Sequence, residues 1–215
     1  MVFRSNLYLI FSLLFIFSAN ISSAQEKTTL KEGDFLFQQI SCGPLCDAIL
    51  AVTSGYQGQK FNHMGMVVLH EDSLMIVEAI GKDVHLSSLS AFLARSANPV
   101  YTGRLKQEYQ RLIPAAVHFS MDQLGTPYDD AFLYQNGKYY CSELIYDAFL
   151  SANRGEPVFE LQPMTYKVPG SDSFFPVWKA YFDELKQPVP EGLPGCNPGG
   201  ISLSDKIDMA GRYKP

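Results

Sequence analysis

The segment GKYYCSELIYDAFL, residues 137–150, places Cys141 at the head of a helical pattern. Leu144, Ile145, Ala148 and Phe149 follow it at i+3, i+4, i+7 and i+8, which is one face of a helix. A thiol in the first turn lies at the positive end of the helix dipole. That position favours the thiolate, the nucleophilic form. First-turn N–H groups have no partner inside the helix, so one can donate to the oxyanion of a tetrahedral intermediate. Free cysteine is also among the most buried residue types. By itself the residue fits a core position as well as a nucleophile.

A nucleophilic cysteine needs a base. The histidines are His63, His70, His85 and His118. His63 opens the apolar, β-branched run HMGMVVLH, and Gly65, on the same face of that strand, leaves open space beside the imidazole. His70 falls at a turn. His85 and His118 have no acidic residue at a suggestive spacing and are expected to be solvated or locally bonded. A third group should orient the base, and Glu78 is the single charge in the apolar run LMIVEAI. A carboxylate buried there needs a partner. The two runs read as a hairpin turning at Glu71-Asp72. With a two- or four-residue loop centred there, Gly65 faces Glu78, and His63 lies diagonal to Glu78 on the same face, within side-chain reach. An odd loop would turn Glu78 to the other face.

GDFLF, NHMGMVV, MIVEAI and YYCSELIYDAF, taken in this order, resemble the NlpC/P60 superfamily of papain-like cysteine hydrolases. Ordinary members carry the cysteine helix first. Here it comes last, and the order histidine, glutamate, cysteine resembles the circularly permuted branch, the YiiX/YebB-like or permuted papain-like amidases. LGTPYD and VPEGLPGCNPG also look like this branch, and the resemblance runs from about residue 30 to the end. It implies an α+β fold, circularly permuted and papain-like, with an antiparallel sheet packed against helices. It also implies Cys141 as nucleophile, His63 as base and Glu78 as the orienting residue. No cofactor and no metal are expected. Tyr128 is expected to line the cleft, with no role assigned. The implied activity is cleavage of an amide bond, by analogy with ordinary members in a cell-wall peptide. Lipid-acting thiol hydrolase or acyltransferase chemistry, and a ligand-binding shell without catalysis, are the competing readings.

The elements that must position these residues are legible in outline. KEGDFLFQQI, residues 31–40, reads as a strand, and a helix follows from about Leu45 to Gly55. SLSAFLAR reads as a short serine-capped helix, VYTGRL as a strand, a helix begins near Pro114 and stops at Gly125, and PVWKAYFDEL forms one more helix. The residues between Thr126 and Tyr139 read as a loop. No repeat or second domain is visible.

The chain has 215 residues and opens with Arg4 and the apolar run Leu7 to Phe17. Small and polar residues follow. Residues 1–24 therefore read as a signal peptide with cleavage after Ala24, and residues 25–215 as one catalytic domain. The apolar run is shorter than the roughly 20 residues that a membrane-spanning helix needs. Export to the periplasm or outside the cell is the expectation, with no stable membrane span after cleavage. The full chain carries a net charge of −5 and shows no basic run, which argues against a nucleic-acid partner. The substrate is expected to carry an amide or ester. Cys42, Cys46 and Cys196 accompany Cys141. With Cys141 set aside, three thiols allow one bridge, and one from Cys196 to Cys42 or Cys46 would pin the Pro/Gly-rich tail to the body. The histidines show no metal-ligand spacing with the cysteines.

Overall fold

The computed structural model describes residues 29–214, so the signal-peptide expectation falls outside the described residues. The strands are β1 (Phe35–Gln38), β2 (His63–His70), β3 (Ser73–Ile80), β4 (Asp83–Ser88), β5 (Tyr101–Leu105), β6 (Gln162–Pro163), β7 (Pro194–Gly195) and β8 (Ile207–Arg212). The α-helices are α1 (Pro44–Val52), α2 (Leu89–Ala94), α3 (Ile113–Asp122), α4 (Cys141–Ala152), α5 (Pro176–Leu185) and α6 (Pro198–Ser202). Six strands form one antiparallel sheet in the order β4-β3-β2-β1-β5-β8, and β6 and β7 form a small separate pair. The fold is α+β, as the sequence implies.

The β2–β3 hairpin controls the site. It turns through Glu71 and Asp72, both with positive φ, 47° and 60°. Two left-handed residues are what a two-residue hairpin loop of the primed type requires. His70 therefore faces Ser73 and Met66 faces Val77, the even-loop register that sets His63 and Glu78 on one face. A left-handed side-chain-bearing residue costs about 1–2 kcal/mol. Asp72→Gly is accordingly expected to raise the unfolding free energy in urea by about 1 kcal/mol.

Alternation along the strands divides the core. Phe35, Phe37, Met64, Met66 and Val77 pack on one face with Leu144, Ile145, Ala148 and Phe149 of α4. Leu36, Val67 and Ile76 point to the other face, where Phe92 of α2 covers them. The apolar stripe that begins at Cys141 is therefore what lays α4 across the sheet and fixes where its N-terminus arrives. A third, smaller cluster joins Ala48 of α1 to Trp178 and Phe182 of α5.

Two expectations are corrected. Gly65 does not leave space beside the imidazole: a Cβ there would lie 2.5 Å from Ile76 Cγ2 and 3.3 Å from Glu78 Cβ. Its missing side chain lets β3 close down on β2. The disulfide joins Cys42 to Cys46, within one turn at the start of α1, and leaves Cys196 buried and free. That short bridge is local: α1 begins after Gly43 with no side-chain cap, and the bridge ties its first turn instead. The tail is held by hydrogen bonds. Two strands not read from the sequence, β4 and β8, lie at the two edges of the sheet, where half-exposed residues mask the strand pattern.

Candidate active site

Cys141 is the first residue of α4, preceded by the extended residue Tyr140, and no side chain caps the helix. Its thiol is nearly buried and lies 4.0 Å from the Asn62 carbonyl oxygen. The Asn62 amide is itself fixed: its oxygen accepts from Ile40 N–H at 2.7 Å and its nitrogen donates to Ile40 O at 2.8 Å. This clamp ties the start of β2 to the chain just beyond β1.

His63 is the first residue of β2, so its ring stands at the end of the sheet where α4 arrives. Nε2 lies 2.6 Å from Glu78 Oε2, which leaves Nδ1 for the neighbouring Cys141 thiol, whose influence the ring feels. Burial works against the charged imidazolium. The hydrogen bonds to Cys141 and Glu78, with their charges, outweigh it and raise the His63 pKa to about 9. Glu78 is fully buried, and burial alone would raise its pKa. Contacts with His63, Ser87 and Arg95 overcome that and hold it below the ordinary carboxylate range. The structure thus brings together all three residues singled out in the sequence.

It also brings in Arg95, which was not, and Tyr128, which was expected in the cleft without a role. Arg95, which follows α2, donates from Nη2 to Glu78 Oε1. Tyr128 lies in the loop before α4 and lines the same cavity as Cys141. Burial first, and the charge of Cys141 second, raise its phenol pKa well above the usual value, so it remains a hydrogen-bond donor. Of the other histidines, His85 lies across from Glu78 on β4, and it and His118 each have an acidic neighbour, contrary to the expectation from the sequence. His85 Nδ1 is 3.1 Å from Asp83, and His118 is 3.5 Å from Asp122, one turn on along α3. Both are local surface pairs.

The residues flanking Cys141 grip the tail. Tyr140 Oη accepts from Cys196 N–H at 3.2 Å, and Ser142 Oγ donates to the Cys196 carbonyl at 3.0 Å. With α1, α5 and the β6–β7 pair, this closes a cavity of about 140 Å³ at the thiol. Phe132, Met164, Tyr166 and Trp178 supply much of its wall, and none of its lining side chains is charged. Among the described residues no group of three or more His, Cys, Asp or Glu side chains is placed to hold a metal ion.

Glu143, on the first turn of α4, is a buried carboxyl with a different duty. One oxygen accepts from Gln135 N–H at 3.0 Å and the other has no protein partner. Burial raises its pKa to about 8 despite that hydrogen bond, with the charges of Asp147 and Asp129 adding to the rise. Glu143 and His63 both bind protons more tightly folded than unfolded, so both make stability fall as pH rises. The Glu143 penalty grows from its unfolded pKa near 4.5 up to about 8. The His63 contribution is complete below 6.5 and is lost through about 9. Urea denaturation at a series of pH values is expected to show that decline, and Glu143→Gln is expected to remove its acid-side part.

A cysteine at a helix N-terminus and a histidine–glutamate pair on an antiparallel sheet define a papain-like thiol fold, here with the cysteine last in the chain. The family of permuted papain-like amidase enzymes, YaeF/YiiX, C92, matches residues 29–202, and the chain belongs to it. The uncharacterised protein YiiX of Escherichia coli K12 is 29% identical over 126 residues, which make up 56% of this chain and 57% of that protein. The chain therefore matches little more than half the length of that curated relative. A crystal structure described as metalloprotein YiiX from Escherichia coli O157:H7 superposes with a TM-score of 0.67 at 21% identity, covering 86% of this chain and 98% of that one. That likeness establishes the shared fold.

Proposed function

We propose that this protein hydrolyses an amide bond by thiol chemistry, with Cys141 as nucleophile, His63 as base and Glu78 as the residue that orients and charges the ring. The observation that carries the reading is His63 itself, electrostatically coupled to the Cys141 thiol on one side and 2.6 Å from a buried carboxylate on the other. Cys141 attacks the carbonyl carbon, and its proton resides on His63. The oxyanion is met by the Cys141 backbone N–H and the Tyr128 hydroxyl. As the tetrahedral intermediate collapses, the amine leaves with the proton from His63 and a thioester remains on Cys141. His63 then deprotonates a water that attacks the thioester, which releases the acid and restores the thiol. Tyr128→Phe, which deletes one oxyanion donor, is expected to lower kcat by about 100-fold, measured under substrate saturation.

The uncharged wall of the cavity supports an apolar acyl group on the substrate and favours a second reading, a thiol hydrolase or acyltransferase acting on lipid amides or esters. A stem peptide from the cell wall would bring carboxylates, and no cationic side chain lines the cavity to receive them. A panel of muropeptides, N-acyl amides and acyl esters, run beside Cys141→Ala, decides. Muropeptide turnover alone returns the reading to the cell wall, and turnover of apolar acyl substrates alone selects lipid chemistry. The Cys42–Cys46 bridge supports export, since disulfides persist in oxidising compartments. Detection of the mature chain in a periplasmic or medium fraction, beginning at Gln25, tests that.

A further inference from the structure

The geometry points to Arg95 as a positioning residue: its guanidinium holds the far oxygen of Glu78 so that the near oxygen stays charged and aimed at His63. This rests on reading Cys141 and His63 as the reacting pair. Glu78 is 0% exposed, while Arg95 is 30% exposed and reaches inward from the surface. Each carboxylate oxygen has its own cation-capable partner, Oε2 with His63 and Oε1 with Arg95. Phe92 holds both partners in place. Its ring centroid lies 5.8 Å from that of His63 and 5.6 Å from the Arg95 guanidinium carbon. The helix α2 that supplies Phe92 ends at Arg95, so one short element sets the ring support and the clamp together.

The need for a clamp follows from charge. Four groups run in line from the thiol: Cys141, His63, Glu78 and Arg95. When the thiol proton sits on His63, their charges alternate and sum to zero. Without Arg95 the buried set is one negative charge in excess, and the carboxylate relieves that by taking a proton or turning toward solvent. Either change takes the orienting oxygen from His63. The other groups facing Glu78 cannot substitute. Ser87 of β4 offers only a neutral hydroxyl, His85 directly across on β4 is held by Asp83, and Gln38, opposite His63 on β1, is a neutral buried amide.

Arg95→Ala is expected to lower kcat by about 100-fold with KM nearly unchanged, and to move the acid limb of the kcat/KM profile to higher pH. Because Arg95 enters from solvent, guanidinium at tens of millimolar is expected to restore at least a tenth of wild-type kcat, whereas urea, its neutral isostere, restores none. Arg95→Lys, which keeps the charge and loses the fork, is expected to fall between the two. Kinetics with an unchanged acid limb and a kcat within threefold of wild type would overturn the proposal. A loss that guanidinium does not reverse, in Arg95→Ala and equally in Arg95→Lys, accompanied by a lowered melting temperature, shows a merely structural arginine and also overturns it. If Cys141→Ala stays active, the underlying site fails and takes the clamp with it. If Cys141→Ala is dead while Arg95→Ala keeps wild-type kinetics, the site stands and the clamp alone fails.

Discussion

Cys141→Ala is expected to lose at least about 10⁴-fold in kcat on any amide substrate the protein turns over. No neighbour can take the place of the thiol. Ser142 is adjacent, but its hydroxyl is spent on the Cys196 carbonyl. Cys196 lines the same cavity, yet burial first, with the charges of Cys141 and Glu143 adding to it, raises its pKa far above the ordinary thiol value and keeps it protonated. The substitution should leave the fold intact. Helix α4 is held by Leu144, Ile145, Ala148 and Phe149, and removing one sulfur at its edge opens little volume. The check is an initial-rate assay beside a thermal melt: a dead enzyme with a melting temperature within a few degrees of wild type. Retention of a tenth of the activity would remove Cys141 from the mechanism.

Glu78→Gln is the second large effect, and it separates shape from charge. The two groups hydrogen-bonded to the Glu78 carboxylate are both donors, His63 through Nε2–H and Arg95 through Nη2–H. A carboxylate accepts from both. An amide of the same shape accepts from one and opposes a donor to the other, and it leaves buried cationic groups without a counter-charge. The expected loss is about 10³-fold in kcat, in the range seen when the acidic member of a triad becomes an amide. Stability should drop by about 3 kcal/mol, at the low end for breaking a buried pair because Arg95 reaches solvent. A group with a lowered folded pKa stabilises above its unfolded value and loses that contribution as pH falls through the folded one. Wild type is therefore expected to lose stability on the acid side through Glu78, and Glu78→Gln is not. Paired urea titrations at neutral and acid pH read the difference, and a variant with wild-type kcat would show that another residue orients His63.

What was legible in the sequence was whatever local rules determine. The pairing of His63 with Glu78 follows from one turn, because a period of two makes the face of every strand residue depend on whether the loop is odd or even. The start of α4 at Cys141 follows from its apolar spacing. Arg95 was not legible, since it meets Glu78 through a long side chain at the end of a six-residue helix and no spacing along the chain encodes that meeting. Tyr128 was expected in the cleft, but it stands on a loop, where no periodicity says which way a ring points, so its role was not legible. The cysteine pairing was left open by counting alone; the local Cys42–Cys46 bridge follows from where α1 begins. The edge strands β4 and β8 were hidden because their exposed positions carry no apolar signal.

The most direct test of the account is alkylation of the folded protein with iodoacetamide at neutral pH, with each modified cysteine located by mass spectrometry, in wild type and in His63→Ala. The account predicts that Cys141 is carboxamidomethylated far faster than Cys196 and a small-molecule thiol, and that His63→Ala slows Cys141 by at least tenfold. Slow labelling of Cys141 that is the same with and without His63 would contradict it.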